Sequence, residues 1–364
     1  MLLSPLNIGH YLLDKGMIQP SQLVLDKFTI HSSDSRNSNF IINKYSDQSY
    51  FVKQVRTFEM DKTETLLREA TCYWLAQNEH SLADWQSLMP HYIDYDYINH
   101  ILVTQYYQAQ PLEYAFNNSL EDLDHIPAEI AKQLSVYHNP KTGKYLKENH
   151  SKLFPAETPY VFRMGADLFK ASWRNDEKFR EKLFDLIKLD EDHLDKIKST
   201  AQEWNPICLI HGDLKFQNFL LTKDGSLKLI DWETSDLGDP CWDIAAILHM
   251  YLFAWVLTEI NKESKESKFK QENTVMMDLS TVQSHLNIFW EHYKANLDPS
   301  ENDFHETTLL RSIRYCALKL IHTSFEITNQ SMQVDSLIAK ILQLSLNILK
   351  DPKEIKRDLL QIKN

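Results

Sequence analysis

The chain has 364 residues, of which 43% are hydrophobic and 25% charged. That length allows two lobes with sizeable cores, and that composition excludes wholesale disorder. The formal net charge of −12 argues against nonspecific nucleic-acid binding, which needs a positive surface.

Near the start, Ile8, Tyr11, Leu12 and Met17 recur at roughly helical spacing between Pro5 and Pro20, which predicts one short helix. Residues 39–43 and 49–53 read as two strands joined by the polar stretch 44–48. A helix is expected over about 61–77, with Leu66, Leu67, Ala70, Tyr73, Trp74 and Leu75 at helical intervals. Residues 91–97 and 100–106 read as a hairpin turning at Ile98-Asn99. From Pro111 the pattern becomes helical, with a helix over Ala128–His138 that Pro140 is expected to stop. Residues 141–205 form a charged insert with one or more helices. Ile244 to Leu257 is an apolar run of 14 residues containing His249, too short to span a bilayer and expected as a buried core helix. The polar run 261–273 reads as a solvated loop, and three or four helices fill 276–360, including 311–327 and 334–349. Cys72, Cys208, Cys241 and Cys316 lie far apart and form no metal-type pair. With no signal peptide visible, they read as free thiols in a reducing cytoplasm, and no membrane is implied.

Residues 211–243, HGDLKFQNFLLTKDGSLKLIDWETSDLGDPCWD, carry the chemistry. The apolar run Cys208-Leu209-Ile210 leads into His211 and a polar loop. Phe219 to Thr222 reads as a strand, Lys223 to Ser226 as a tight turn and Leu227 to Ile230 as the return strand. Such a hairpin sets Asn218 and Asp231 at the same end of neighbouring strands. Two oxygen ligands there suit Mg²⁺, which fills its remaining positions with water and phosphate oxygens. Asp213 supplies the other carboxylate. Phosphoryl transfer from a magnesium nucleotide needs that set: one carboxylate facing the acceptor hydroxyl, and an amide and a second carboxylate for the metal.

The segment resembles the catalytic core of the aminoglycoside phosphotransferase and choline kinase group within the protein-kinase-like superfamily. Ile230-Asp231-Trp232-Glu233, then Gly238-Asp239-Pro240 and Asp243, is similar to that group more than to protein kinases, where Phe-Gly follows the Asp. The resemblance implies an α+β, bilobal kinase-like fold. Its small antiparallel-sheet lobe, residues 1–107, would bind nucleotide, and its larger helical lobe, residues 108–364, would carry catalysis and the acceptor. It implies ATP and Mg²⁺ as cofactors, Asp213 as base, Lys215 as a cation for the γ-phosphate, and Asn218 and Asp231 as metal ligands. Lys53, ending Tyr50-Phe51-Val52-Lys53, stands where such enzymes carry the lysine for the α- and β-phosphates. Glu69 is its expected partner, with Glu64 and Glu59 as weaker alternatives. The loop over the phosphates is expected before Phe40. It contains no glycine, so Ser35, Asn37 and Ser38 are the candidate donors, with Arg36 adding charge. Backbone groups of Gln105 and Tyr107 are expected to hold adenine. His211 is expected to brace the catalytic loop, Asp243 to accept hydrogen bonds from its backbone, and Asp239 to do the same or help the acceptor site. Without the glycine after Asp231, switching by an activation segment is not expected.

The leading expectation is phosphoryl transfer to a hydroxyl of a small molecule: an aminoglycoside, an amino-sugar or a choline-like compound. Trp290, Tyr293, Tyr315 and Phe325, with Glu291 and Glu326, are candidates for a cation pocket, in keeping with the acidic balance of the chain. Two rivals stand beside it. One is a Ser/Thr kinase of a precursor peptide in lanthipeptide-type maturation, with a lyase as partner. The other is a non-catalytic nucleotide-binding module, against which the set Lys53, Asp213, Asn218 and Asp231 argues.

Overall fold

A computed structural model describes residues 1–24, 28–34, 37–43, 49–118, 123–162, 191–263, 274–296, 302–331 and 336–363. They divide into two compact units, Met1–Leu112 with Asn218–Ser235, and Glu113–Gln217 with Asp236–Asn364.

In the first unit, strands β1 (Ile30–Asp34), β2 (Asn37–Ile42), β3 (Tyr50–Val55), β4 (Tyr92–Asp96) and β5 (Ile101–Gln105) form an antiparallel sheet in the order β1-β2-β3-β5-β4. Alternation along the strands sends Phe40, Ile42, Val52, Ile101 and Val103 to one face. There they pack with Ile8, Tyr11 and Leu12 of helix α1 (Ile8–Asp14), a contiguous apolar core. The N-terminal segment holds two short helices rather than one, α2 being Pro20–Val24. β1 was expected as part of a loop. Its sequence, IHSSD, has no apolar alternation to announce a strand, and it lies at the sheet edge, where polar residues are at home.

Helix α3 (Met60–Asn78) buries Leu66, Glu69, Ala70, Cys72, Tyr73, Leu75 and Ala76. Trp74, expected on that face, is instead 45% exposed. A short strand β6 (Ala109–Pro111) pairs with β8 (Phe219–Thr222), which pairs with β9 (Leu227–Leu229) through the expected turn. Gly225 in that turn has φ of +82°, a conformation glycine adopts at little cost.

The second unit is helical. It runs through α4 (Leu112–Asn118), α5 (Ile126–Tyr137), α6 (Pro140–Asn149), α7 (Glu191–Gln202), α8 (Pro240–Glu263), α9 (Leu279–Ala295), α10 (Asn302–Ser331) and α11 (Ser336–Lys350). Pro140 opens α6 instead of only closing α5. Proline suits the first helical turn, where its missing N–H is not needed, and Asn139 caps that end through Lys141 N–H at 2.9 Å. β7 (Cys208–Ile210) pairs with a strand that hydrophobic patterning did not reveal, β10 (Asp236–Gly238). Residues 163–190 of the insert lie outside the described residues, as do residues 264–273 of the polar run, whose first three residues end α8.

α8 is the core of this unit. Ile244, Ala245, Ile247, Tyr251, Leu252 and Leu257, which point all round the helix, are buried. Its 24 residues exceed the apolar run seen in the sequence. By length and composition alone it passes as a membrane span, but 72% of its apolar window is buried inside the protein.

Candidate active site

The first unit gathers charge around one lysine. Lys53 lies on β3, and its Nζ is 2.7 Å from Glu69 Oε2 of α3, 2.5 Å from Asp231 Oδ1 and 3.5 Å from Glu233 Oε2. Of the three acids weighed as its partner, the structure brings Glu69. Lys53 is 6% exposed and Glu69 3%, so the ion pair sits where water screens it little. Burial alone would lower the Lys53 pKa, but the surrounding carboxylates outweigh it and hold the ammonium charged. Burial pushes the Glu69 carboxyl up to about 7, with Lys53 pulling the other way and Asp231 and Glu233 adding to the rise.

Two residues of this cluster were not assigned roles from sequence. Tyr73, one turn after Glu69 on α3, donates its hydroxyl to Glu69 Oε1 at 2.9 Å and accepts the Asp231 N–H at 3.2 Å. The spacing of four between Glu69 and Tyr73 was its available signal. Glu233 lies with Glu69 and Asp231 in a group whose carboxylate oxygens fall within 4.8 Å of one another. Asp231 itself holds φ of +67° and ψ of +50°. That left-handed conformation is costly for a non-glycine residue, and such strain concentrates at functional sites. It is held by Trp232, fully buried, whose Nε1–H donates to Leu229 O at 3.0 Å and whose ring stacks on Trp85 at 6.4 Å.

Asn218 precedes β8, and its carbonyl accepts the Ile230 N–H at 3.0 Å. The β8–β9 register pairs Phe219 with Leu229, so Asn218 and Asp231 sit at the same end of the hairpin. The donor set fits a divalent cation. Asn218, Asp231 and Glu233 offer hard oxygens, and three carboxylates around one ammonium leave an excess negative charge for such an ion to offset.

Ser35 lies outside the described residues. Asn37 is 6% exposed and donates Nδ2–H to Glu233 Oε2 at 3.4 Å. Ser38 is a β2 residue, paired in register with Asp34 and Gln54. The Gln105 N–H is committed to His91 O at 2.9 Å, and the Tyr107 carbonyl accepts the Ala109 N–H at 2.9 Å.

In the second unit, Asp243 at the start of α8 organises the loop after β7. It is fully buried and accepts the His211 N–H at 2.7 Å, the Gly212 N–H at 3.0 Å, the Tyr137 hydroxyl at 3.1 Å and a contact from His138 Nε2 at 3.3 Å. Burial would raise its pKa, yet the His138 and His211 contacts more than offset this and hold it below the usual carboxylate range. His211 Nδ1 accepts the Asp213 N–H at 3.3 Å. Gly212 between them has φ of +84°, which lets the loop turn sharply. Asp213 and Lys215 are both half-exposed, and Lys215 Nζ lies 2.6 Å from Asp213 Oδ2. Asp239 is fully buried and accepts from Asn205 N–H, Cys241 N–H, Arg311 and the Tyr315 hydroxyl. It is a structural brace.

The aromatic residues expected to form a cation pocket are core. Trp290, Tyr293, Tyr315 and Phe325 are 2%, 1%, 0% and 7% exposed. The Tyr293 hydroxyl contacts His138 Nδ1 at 2.8 Å, while Glu291 pairs with Lys294 at the surface. A cavity of about 490 Å³ lies instead beside the loop, lined by Glu113, Lys215, Gln217, His249 and Phe253 among others.

Residues 27–268 match the profile of the phosphotransferase enzyme family. Among solved structures, an ethanolamine kinase from Plasmodium vivax aligns over 94% of this chain and 87% of its own, with 16% identity and a TM-score of 0.55. A ternary complex of APH(2″)-IIa with streptomycin and ATP aligns over 95% of this chain and 97% of its own, with 14% identity and a TM-score of 0.51. A choline kinase from Cryptosporidium parvum aligns over 96% of each chain, with 15% identity and a TM-score of 0.50. Likeness at such identities establishes the fold, which is the α+β protein-kinase-like one.

Proposed function

The chain belongs to the phosphotransferase enzyme family, and on that basis we propose that it moves the γ-phosphate of ATP to a hydroxyl of a small molecule, with Mg²⁺ as cofactor. The observation that supports this reading most is the Lys53 ammonium held between Glu69 and Asp231 at 2.7 and 2.5 Å. A buried, oriented cation has its full electrostatic effect on phosphate oxygens without reorganising at the moment of reaction.

Lys53 binds the α- and β-phosphates, and Glu69 with Tyr73 fixes its direction. Asn218 and Asp231 would hold the metal, with Glu233 as a further oxygen, and Mg²⁺ bound there would offset charge on the phosphate oxygens. The adenine is held by backbone groups near Gln105 and Tyr107. With the Gln105 N–H spent on His91, the Tyr107 N–H is the better donor. Asn37 and Ser38 lie at the start of β2, after the glycine-free segment, and serve the phosphate side.

Asp213 accepts the proton of the acceptor hydroxyl as that oxygen attacks the γ-phosphorus. The bond from phosphorus to the β–γ bridging oxygen breaks, and ADP leaves with the electron pair. Lys215, already beside Asp213, meets the charge on the transferring group. The loop presents a carboxylate base and no covalent nucleophile, so transfer is direct. Incubation with γ-labelled ATP and a panel of hydroxyl compounds (aminoglycosides, amino-sugars, choline, homoserine, polyols and sugar acids) tests the reading. Label in an acceptor phosphate ester supports it. ATP binding with no transfer to any acceptor or to water removes it.

A further inference from the structure

The net charge of −12 favours a cationic acceptor on average, but the charge beside the catalytic loop runs the other way. Trp242, in the first turn of α8, donates Nε1–H to the Gly212 carbonyl at 3.1 Å. Its indole is therefore fixed next to the residue before Asp213. The face of that indole is already taken: Lys319 of α10 places Nζ 3.6 Å from the ring centroid. This is cation–π contact distance, and it leaves no room for a second cation on that face.

Lys319 Nζ has no hydrogen-bond or ion-pair partner among the described residues, although an ammonium carries three donors. The acids whose fields reach it are Asp213, Asp243 and Glu326. Asp213 is paired with Lys215 at 2.6 Å, Asp243 is filled by His211, Gly212, Tyr137 and His138, and Glu326 stands 3.9 Å from His322. Burial lowers the Lys319 pKa to about 8, against the pull of these acids. It therefore remains charged at neutral pH but gains from an anion.

Lys319 is linked to the cavity through its neighbour on the helix. Thr323 follows Lys319 by one turn on the same face of α10, and its Oγ1 is 2.9 Å from Nε2 of His249, a cavity-lining residue. Lys215 lines the same cavity. Its volume of about 490 Å³ is in the range of small-molecule sites. The aromatic residues expected to receive a cation, Trp290, Tyr293, Tyr315 and Phe325, are buried in the core.

We infer that the acceptor is a hydroxy compound bearing an oxyanion, whose acidic group pairs with Lys319 over Trp242 while its hydroxyl faces Asp213. This deepens the phosphotransferase reading and rests on it. A choline-like or aminoglycoside acceptor would place its positive charge against Lys319 and Lys215, a repulsion that selects against it.

Two matched series test the inference: gluconate, glucose 6-phosphate and glucose, and glycerate, glycerol phosphate and glycerol, with choline and kanamycin added. Equilibrium binding is read from the change in tryptophan fluorescence, and turnover from labelled ATP, in wild type, Lys319→Gln and Lys319→Arg. The expected result is a preference of about tenfold or more for an acid over its neutral counterpart. That preference should vanish in Lys319→Gln, return in Lys319→Arg, and leave ATP affinity unchanged in both. The carboxylate and phosphate arms show which oxyanion is preferred. Tighter binding of choline or kanamycin, a preference that survives Lys319→Gln, or no binding of any acid would overturn it. Because binding is read without turnover, Lys319-dependent acid binding with no phosphate transfer would sustain this inference and sink the phosphotransferase reading instead.

Discussion

The Lys53 ammonium of β3 lies 2.7 Å from the Glu69 carboxylate of α3, and both side chains are nearly sealed from solvent at 7% and 5% exposure. Removing the cation leaves Glu69, Asp231 and Glu233 facing one another. Breaking a buried pair from one side costs about 3–5 kcal/mol. Lys53→Met is therefore expected to unfold at clearly lower denaturant and to lose nucleotide binding. Lys53→Met/Glu69→Gln should recover part of the stability. A double-mutant cycle giving no coupling between the two positions would contradict the pairing.

Asp231 is strained, half-exposed and adjacent to two further carboxylates, which suits it to hold a divalent ion. Asp231→Ala is expected to lose Mg²⁺-dependent turnover by a hundredfold or more, on the order of removing one preorganised electrostatic contact. Titration of Mg²⁺ against nucleotide binding checks it. A variant with the wild-type metal response would show that the ion is held elsewhere.

His249 has its pKa lowered from 6.5 to about 3, first by burial and then by Lys319 and His322. The unfolded chain takes up a proton near pH 6.5 and the folded protein resists it. Stability from this group is thus full above pH 6.5 and is lost as pH falls toward 3. Allowing for partial exposure of the ring, the loss between pH 7 and 5 is on the order of 1 kcal/mol. His249→Gln should show a shallower decline than wild type in denaturant unfolding over that interval. Parallel declines would refute the assignment.

Gly143 in α6 packs against backbone. A Cβ added there would run into the Ile207 carbonyl and the Cys208 Cα, at the start of the strand that delivers His211. Backbone atoms yield less cheaply than a flexible side chain, so Gly143→Ala should cost on the order of 1–3 kcal/mol. A thermal melt identical to wild type would show that α6 moves aside freely.

Much of this was legible in the chain itself. The β8–β9 hairpin announced itself by two apolar runs around Lys223-Asp224-Gly225-Ser226, and α3 and α8 by their periodicity or apolar length. β1, β6 and β10 did not. β1 is polar, and the other two have three residues each and become strands by pairing with partners distant in sequence. Asp243 and Glu69 were legible as partners because their motif contexts are local. Tyr73, Glu233 and Lys319 were not, because their roles arise where the fold brings separate elements together. The aromatic residues of α9 and α10 mislead for the same reason: helical spacing reports a face, not whether that face meets a ligand or the core.

The most direct test of the central claim is the fate of the γ-phosphate in wild type and Asp213→Asn side by side. With labelled ATP and Mg²⁺, wild type should put the label into a small-molecule phosphate ester, form one ADP per ester, and carry no label on the protein. Asp213→Asn should bind ATP with unchanged affinity and transfer at least about a hundredfold more slowly, the scale for losing a positioned proton acceptor. Label bound covalently to the protein, or an Asp213→Asn variant that transfers at the wild-type rate, would contradict direct transfer with Asp213 as the base.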